Sequence, residues 1–148
     1  MIAIHFSYYA KDDICKTAME DALICVYGES LGKHKRPQIR NVISNKMREL
    51  GRLLLSMRSL TNIQKLFDAL KPDMFDSFIS ATKIISGYCM ETRSFQASSL
   101  ALHMGTTLKQ VCGVATKFVT KKNNVFLCDN QTQALKDIKR LRNLFECN

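Results

Sequence analysis

Apolar side chains recur at intervals of three and four residues along most of the chain, and this periodicity limits the fold more than any other feature. Such spacing lines up apolar residues on one face of an α-helix, whereas a half-buried strand requires strict alternation. Few positions interrupt the pattern, since the 148 residues include only 2 Pro and 6 Gly. We therefore predict an all-α protein, a single compact domain of about six to seven helices over residues 12–148, preceded by an N-terminal extension at residues 1–11.

Capping and breaking residues divide the pattern into segments. Asp12 or Asp13 begins the first helix, Pro37 opens the second, and Gly105 with the two threonines after it is typical of a helix stop followed by a new cap. The predicted helices cover about residues 13–31, 37–58, 62–70, 73–86, 98–104, 107–121 and 130–145, with a polar loop at 91–96. Alternation over Ile2–Tyr8 suggests a short N-terminal strand, for which Val125–Cys128 is the only plausible partner.

Positive charge is concentrated in two segments of this basic protein. The whole chain carries a formal net charge of +9. Residues 33–58 contain eight basic and one acidic side chain, and residues 109–148 contain eight basic and three acidic ones. Such clustering favours a polyanionic partner, nucleic acid above all, over evenly spread charge. The alternative is a lysine-rich surface that serves solubility alone.

The second predicted helix presents the clearest candidate site. Arginines recur every four residues in this segment, with Ser44 in the vacant place, so they form a slowly winding stripe of guanidinium groups that can each donate two hydrogen bonds to phosphate. Two asparagines on the helix could add base-edge or phosphate contacts, and the last helix has three basic residues opposite its apolar side. The predicted nucleic-acid-binding residues are Arg36, Arg40, Asn41, Asn45, Arg48, Arg52, Lys136, Lys139 and Arg140.

Each of these two helices also has an ordinary interpretation. On the second helix, Glu49 could pair with Arg52 or Lys46, which would make the stripe a solvated face held by intrahelical ion pairs. The last helix could be a simple amphipathic surface helix. Exposure and pairing of the arginines distinguish a binding face from a solvated one.

Three sequence strings resemble a poorly characterised family of animal proteins derived from transposons. They are NKMRELGRL at 45–53, SLALHMG at 99–105 and DIKRL at 137–141, and the resemblance runs from about residue 14 to the C-terminus. Longer members of that family have zinc fingers upstream and a region similar to tyrosine recombinases downstream. The resemblance implies a helical module similar to a core-binding domain. This chain departs from the longer pattern because it contains no closely paired Cys and His.

Motifs for metal binding and catalysis are missing. The six cysteines and three histidines include no C-x-x-C or H-x-x-x-H pair, so we expect no metal and interpret Cys15, Cys25 and Cys112 as buried thiols. The chain lacks G-x-S-x-G, Walker A, G-x-G-x-x-G and H-E-x-x-H motifs, as well as the H-x-x-R step of tyrosine recombinases. We therefore expect no catalytic residues, no enzymatic activity and no cofactor.

Together these patterns predict a non-catalytic, nucleic-acid-binding helical module that contacts DNA, in preference to RNA, through phosphates. The longest apolar runs fall far short of the ~20 residues that span a bilayer, and the N-terminus lacks the features of a secretory signal, so we expect an intracellular, nuclear protein with no membrane partner. The alternative function is a protein-interaction or oligomerisation domain, supported by the 7 methionines, since adaptable Met-bearing surfaces suit partner binding.

Overall fold

The computed structural model describes residues 11–32, 39–122 and 129–146. Within these ranges the fold is all-α, with six α-helices and one two-stranded hairpin. The helices are α1 (Lys11–Glu20), α2 (Ala22–Leu31), α3 (Ile39–Leu60), α4 (Phe75–Ile85), α5 (Ser98–Lys122) and α6 (Asp129–Glu146). Two 3₁₀ turns lie at Leu66–Ala69 and Pro72–Met74, and strands β1 (Tyr88–Cys89) and β2 (Ser94–Phe95) pair antiparallel. The predicted strands at 2–8 and 125–128 lie outside the described residues.

Helix α3 organises the packing, since α1, α2 and α4 all lie against it. Its contact with α1 is very close at Gly51, where a Cβ atom added to the glycine would lie 2.8 Å from the backbone oxygen of Ile14 and 3.3 Å from the Cβ of Ala18. Helix α2 packs antiparallel to α3, with Gly28 near Met47 and Gly32 near Ile43. Small residues at these positions therefore allow the helix axes to approach.

The predicted first helix is in fact two helices, because Asp21 interrupts it. Asp21 has extended backbone angles, and its Oδ1 accepts a hydrogen bond of 3.0 Å from the amide of Ile24, which caps α2. Its Oδ2 accepts a second bond of 2.9 Å from the amide of Leu66, 45 residues further along the chain. Apolar spacing continues across residue 21, so periodicity alone does not show the break.

The predicted third helix is reduced to the single 3₁₀ turn at Leu66–Ala69. The amide and the hydroxyl of Thr61 both donate hydrogen bonds to the carbonyl of Met57. Thr61 therefore ends α3 instead of capping a new helix. The fourth predicted helix is confirmed: Pro72 occupies the first turn of a 3₁₀ segment that leads into α4, and Gly87 follows α4 with φ of 67°. Of the expected polar loop at 91–96, residues 91–93 lie in the turn of the β1–β2 hairpin, and Ser94–Phe95 form β2.

The predicted break at residues 105–107 is wrong, because α5 is continuous over 25 residues. Its buried side chains, from Leu100 through Met104, Leu108 and Val111 to Val119, form one stripe across that position. A glycine inside a helix costs only about 1 kcal/mol, which burial of this stripe outweighs. Helix α6 packs against α5, and Phe145 near its end contacts the rings of Phe75 and Phe78 in α4.

Candidate nucleic-acid interface

The two halves of α3 differ in burial. Six residues of the second half are buried: Leu50, Gly51, Leu53, Leu54, Ser56 and Met57. In the first half, no residue of 39–49 is fully buried, and Arg40, Asn41, Val42, Ser44 and Asn45 are exposed. The second half therefore fixes α3 in the core, while the first half extends into solvent on most of its sides.

Two asparagines and two arginines share one side of α3. At 100° per residue, Asn41, Asn45, Arg48 and Arg52 fall within a sector of about 60°, over a length of about 17 Å. The asparagines are exposed and the two arginines are half-buried. We call these four residues the α3 basic face. Arg40 is exposed as well, but it points about 110° away from the centre of that face.

The alternative interpretation of α3 relied on intrahelical ion pairs, and these do not form. Glu49 makes no ion pair within 4.0 Å with Lys46 or Arg52, and the described residues contain one such pair, Arg142 with Glu146 at 3.9 Å on α6. The arginines of the α3 basic face are therefore not held by a carboxylate among the described residues. Arg36 lies outside the described residues, so the stripe can be followed only from Arg40 onwards.

One side chain of α3 outside this face reaches α5. The ammonium of Lys46 donates a hydrogen bond of 3.2 Å to the hydroxyl of Thr107. Burial raises the pKa of the Glu49 carboxyl, while the positive charges of Lys46, Arg52 and His103 oppose that rise. The Lys46–Thr107 bond therefore links α3 to α5 at one point.

The basic residues of α6 lie on a helix that packs against α5, away from the helix that carries the α3 basic face. Lys136, Lys139 and Arg140 are all exposed, on the side opposite Ile138 and Leu141, which are buried. Helix α6 packs against α5 and the 72–74 turn. The predicted secondary residues are therefore accessible, but they do not extend the α3 basic face along its own helix.

Helix α5 contributes a set of lysines that the sequence-based site does not include. Lys109, Lys117 and Lys121 follow the helix at multiples of four residues, with Gly113 in the vacant place, and we call these three lysines the α5 lysine row. Lys109 is half-buried and the other two are exposed. The spacing repeats that of the arginines, so this signal was present in the sequence.

The cysteines of the described part of the chain differ in burial and in pKa. No cluster of three or more His, Cys, Asp or Glu side chains there could hold a metal ion. Cys112 is buried, and burial raises its pKa to about 12, whereas Cys15 and Cys25 are only half-buried, contrary to expectation. No helix among the described residues is sufficiently long and apolar to cross a membrane.

Comparisons with known proteins add no assignment: no family model, curated protein or solved structure matches this chain. The interface must therefore be judged on its own geometry.

Proposed function

We propose that this protein is a non-catalytic module that binds nucleic acid, DNA in preference to RNA, by placing the first half of α3 against phosphates. The observation that supports this most directly is that Arg48 and Arg52 lie on one side of α3, partly exposed, with no carboxylate within 4.0 Å of either among the described residues. The same proposal includes an origin from a mobile element, which the three sequence strings support. It also includes a nuclear location, which follows from the proposed DNA partner.

The residue types on the α3 basic face suit this task. A guanidinium group is always charged and presents a planar set of donors that matches two phosphate oxygens, so Arg48 and Arg52 can each bind one phosphate. Exposed Asn41 and Asn45 can donate further hydrogen bonds to phosphate or to a base edge. Because phosphates are the main target, binding should depend strongly on salt and weakly on sequence.

A salt titration with a random-sequence DNA duplex tests the proposal. If four phosphates are neutralised, log affinity should fall with log salt at a slope of roughly −3 to −4. Replacing Arg48 and Arg52 with alanine should flatten that slope by about 2 and weaken binding at every salt concentration. A plasmid included in the same assays should keep its topology, since the module is proposed to be non-catalytic.

A charge-matched control separates a local contact from loss of overall charge. Lys65 and Lys71 are exposed, and they lie near the far end of α3, where Arg58 bonds the carbonyl of Gln64. Replacing both with alanine removes the same charge and should leave the slope unchanged. Equal slopes for the two double variants, or no wild-type binding at about 50 mM salt, would reject the proposal.

A second candidate function, protein interaction or self-association, is favoured by a different surface. A groove of about 300 Å³ between α4, α5 and the end of α6 is lined by Phe75, Ile79, Leu102 and Phe145, and Leu102 is 77% exposed. Methionines were expected to form an adaptable binding surface, but Met104 is the one methionine that lines this groove, and it is buried. Sedimentation of wild type and Leu102→Ser tests this function: concentration-dependent association that the substitution abolishes would support it.

A further inference from the structure

Helices α5 and α6 form the most extensive helix–helix contact among the described residues. Only six residues separate the end of α5 from the start of α6, and a connection this short joins antiparallel neighbours. Two contacts agree with this direction. Met104 and Phe145 line one groove. The positive charge of Arg142 lowers the pKa of the Cys112 thiol, against the larger effect of burial. The two helices therefore lie side by side over much of their length.

Both helices bury one side in the same core. Leu108 and Val111 of α5 belong to one buried cluster with Ile138 and Leu141 of α6. The opposite sides of the two helices therefore form one continuous surface of the protein. It carries the α5 lysine row and the basic residues of α6, five of which are exposed and one half-buried. We call this surface the α5–α6 outer face, defined by Lys109, Lys117, Lys121, Lys136, Lys139 and Arg140.

Acidic side chains of these helices do not neutralise this face. The 25 residues of α5 include no Asp or Glu. Residues 131–146 of α6 include two. Asp137 lines a groove with Phe67 and accepts a hydrogen bond of 3.0 Å from Gln133. Glu146 is paired with Arg142 at 3.9 Å. Six cations therefore share one surface on which the two helices place no free carboxylate at residues 98–121 or 131–146.

The side chains between the lysines of α5 indicate which anion this surface fits. Gly113 has nothing within 4 Å of a Cβ atom built on it, and Thr116 and Thr120 are exposed. A helix that binds a membrane surface presents large apolar side chains beside its cations, so that they can enter the lipid. Small side chains beside cations instead allow the close approach of a phosphate backbone. The surface therefore favours nucleic-acid phosphates over lipid headgroups.

This outer face is separate from the α3 basic face. Lys46 of α3 reaches α5 at Thr107, which is only 1% exposed. The link between α3 and α5 therefore lies on the buried side of α5 and not among its lysines. Helix α3 packs against α1, α2 and α4, whereas α6 packs against α5 and the 72–74 turn. A phosphate backbone on one of the two surfaces is therefore not in register with the other.

We propose that the α5–α6 outer face is a second binding surface for nucleic-acid phosphates, and that it holds a segment separate from the one on the α3 basic face. The inference rests on the proposed function for its class of ligand and adds a second site. Contacts to phosphates carry no sequence information, so this site binds without sequence preference. One protein molecule then holds two segments of nucleic acid together.

The test counts the short duplexes that one protein molecule binds. The probe is a random-sequence DNA duplex of about one helical turn, roughly 34 Å, at about 50 mM salt. Sedimentation with labelled duplex gives the stoichiometry, which should be two for wild type. A variant with three exposed cations of the outer face changed to glutamine, which retains helix propensity, should bind one. The changed residues are Lys117, Lys136 and Arg140.

Two further variants and a control complete the experiment. The Arg48→Ala and Arg52→Ala double variant should bind one duplex, and its combination with the α5–α6 variant should bind none. The control removes the same charge elsewhere, by glutamine at three exposed lysines, and should still bind two duplexes. These lysines are Lys16, Lys65 and Lys71. Far-UV circular dichroism shows that each variant is folded.

The outcomes separate this inference from the proposed function. Wild type that binds a single duplex would overturn the second site, as would an α5–α6 variant that still binds two or a control that loses one. If the α5–α6 variant binds one duplex and the Arg48 and Arg52 variant binds two, the inference stands and the proposed α3 site fails. The reverse result leaves the proposed function standing and this inference wrong.

Vesicles that contain phosphatidylserine test the other source of phosphate. We expect them not to compete with the duplex for the α5–α6 outer face. Vesicle binding that the control retains and the α5–α6 variant loses, with duplex stoichiometry unchanged in that variant, would show that the ligand is a lipid and overturn the inference.

Discussion

Replacing Gly51 with alanine tests the closest helix contact in the fold. A Cβ atom at this position would lie 2.8 Å from the backbone oxygen of Ile14 in α1 and 3.3 Å from the Cβ of Ala18. Ordinary contacts of this kind begin near 3.4 Å. The nearest atom belongs to the backbone of α1 and cannot rotate away, so the two helices would have to separate.

The net effect follows from two opposing contributions. Overpacking a well-packed contact costs about 1–3 kcal/mol, and a backbone neighbour places this site near the upper end. Alanine in place of glycine inside a helix returns about 1 kcal/mol through backbone entropy. We therefore expect Gly51→Ala to lower the free energy of unfolding by about 2 kcal/mol, which corresponds to a fall in Tm of about 4–8 °C for a protein of this size.

Gly105→Ala is the matched control, since it makes the same substitution within a helix but meets nothing within 4 Å. It should raise the free energy of unfolding by about 0.5–1 kcal/mol, because only the helix-propensity gain applies. Thermal and urea unfolding, followed by far-UV circular dichroism, measure both variants against wild type. A Gly51→Ala protein at least as stable as wild type would show that the α1–α3 contact is not as close as described.

Three further predictions concern polar groups. Asp21→Ala should destabilise the fold by about 2–4 kcal/mol in urea unfolding, because it removes the α2 cap and leaves the amide of Leu66 without a partner, while Asp21→Asn should cost less. Ser56→Ala should leave stability unchanged or raise it by up to about 1 kcal/mol, since the Ser56 hydroxyl is buried and has no hydrogen-bond partner among the described residues. Because burial raises the pKa of Glu49, folding favours its protonated form, and its ionisation lowers stability as pH rises through that pKa. Glu49→Gln should therefore raise Tm at pH 7, with a gain that shrinks at acidic pH, and a gain independent of pH would contradict the assigned cause.

Periodicity predicted the helical class and most of the helices, because a buried stripe on each helix leaves a direct trace in the sequence. It failed where a tertiary contact decides the outcome. Asp21 divides the first helix by bonding the amide of Leu66, which is remote in sequence. Gly105 looked like a stop, yet the buried stripe of α5 continues past it. Such competition between local preference and packing is not readable from spacing alone.

The candidate site shows the same division between local and remote information. The four-residue spacing placed Arg48 and Arg52 on one side of a helix, which is a local property. The sequence did not show that Glu49 would lie near Lys46 and Arg52 and yet form no ion pair with either. The lysines of α5 were readable by spacing, but their degree of exposure was not.

The unequal burial of α3 has a consequence for local opening. Amide hydrogens after Leu50 are protected by a packed core, so their exchange with solvent requires a large opening of the domain. Amides in the first half depend mainly on the helix itself, since no side chain of residues 39–49 is fully buried. Hydrogen exchange should therefore be faster before Leu50 than after it. The first half of α3 can open locally while the second half stays folded.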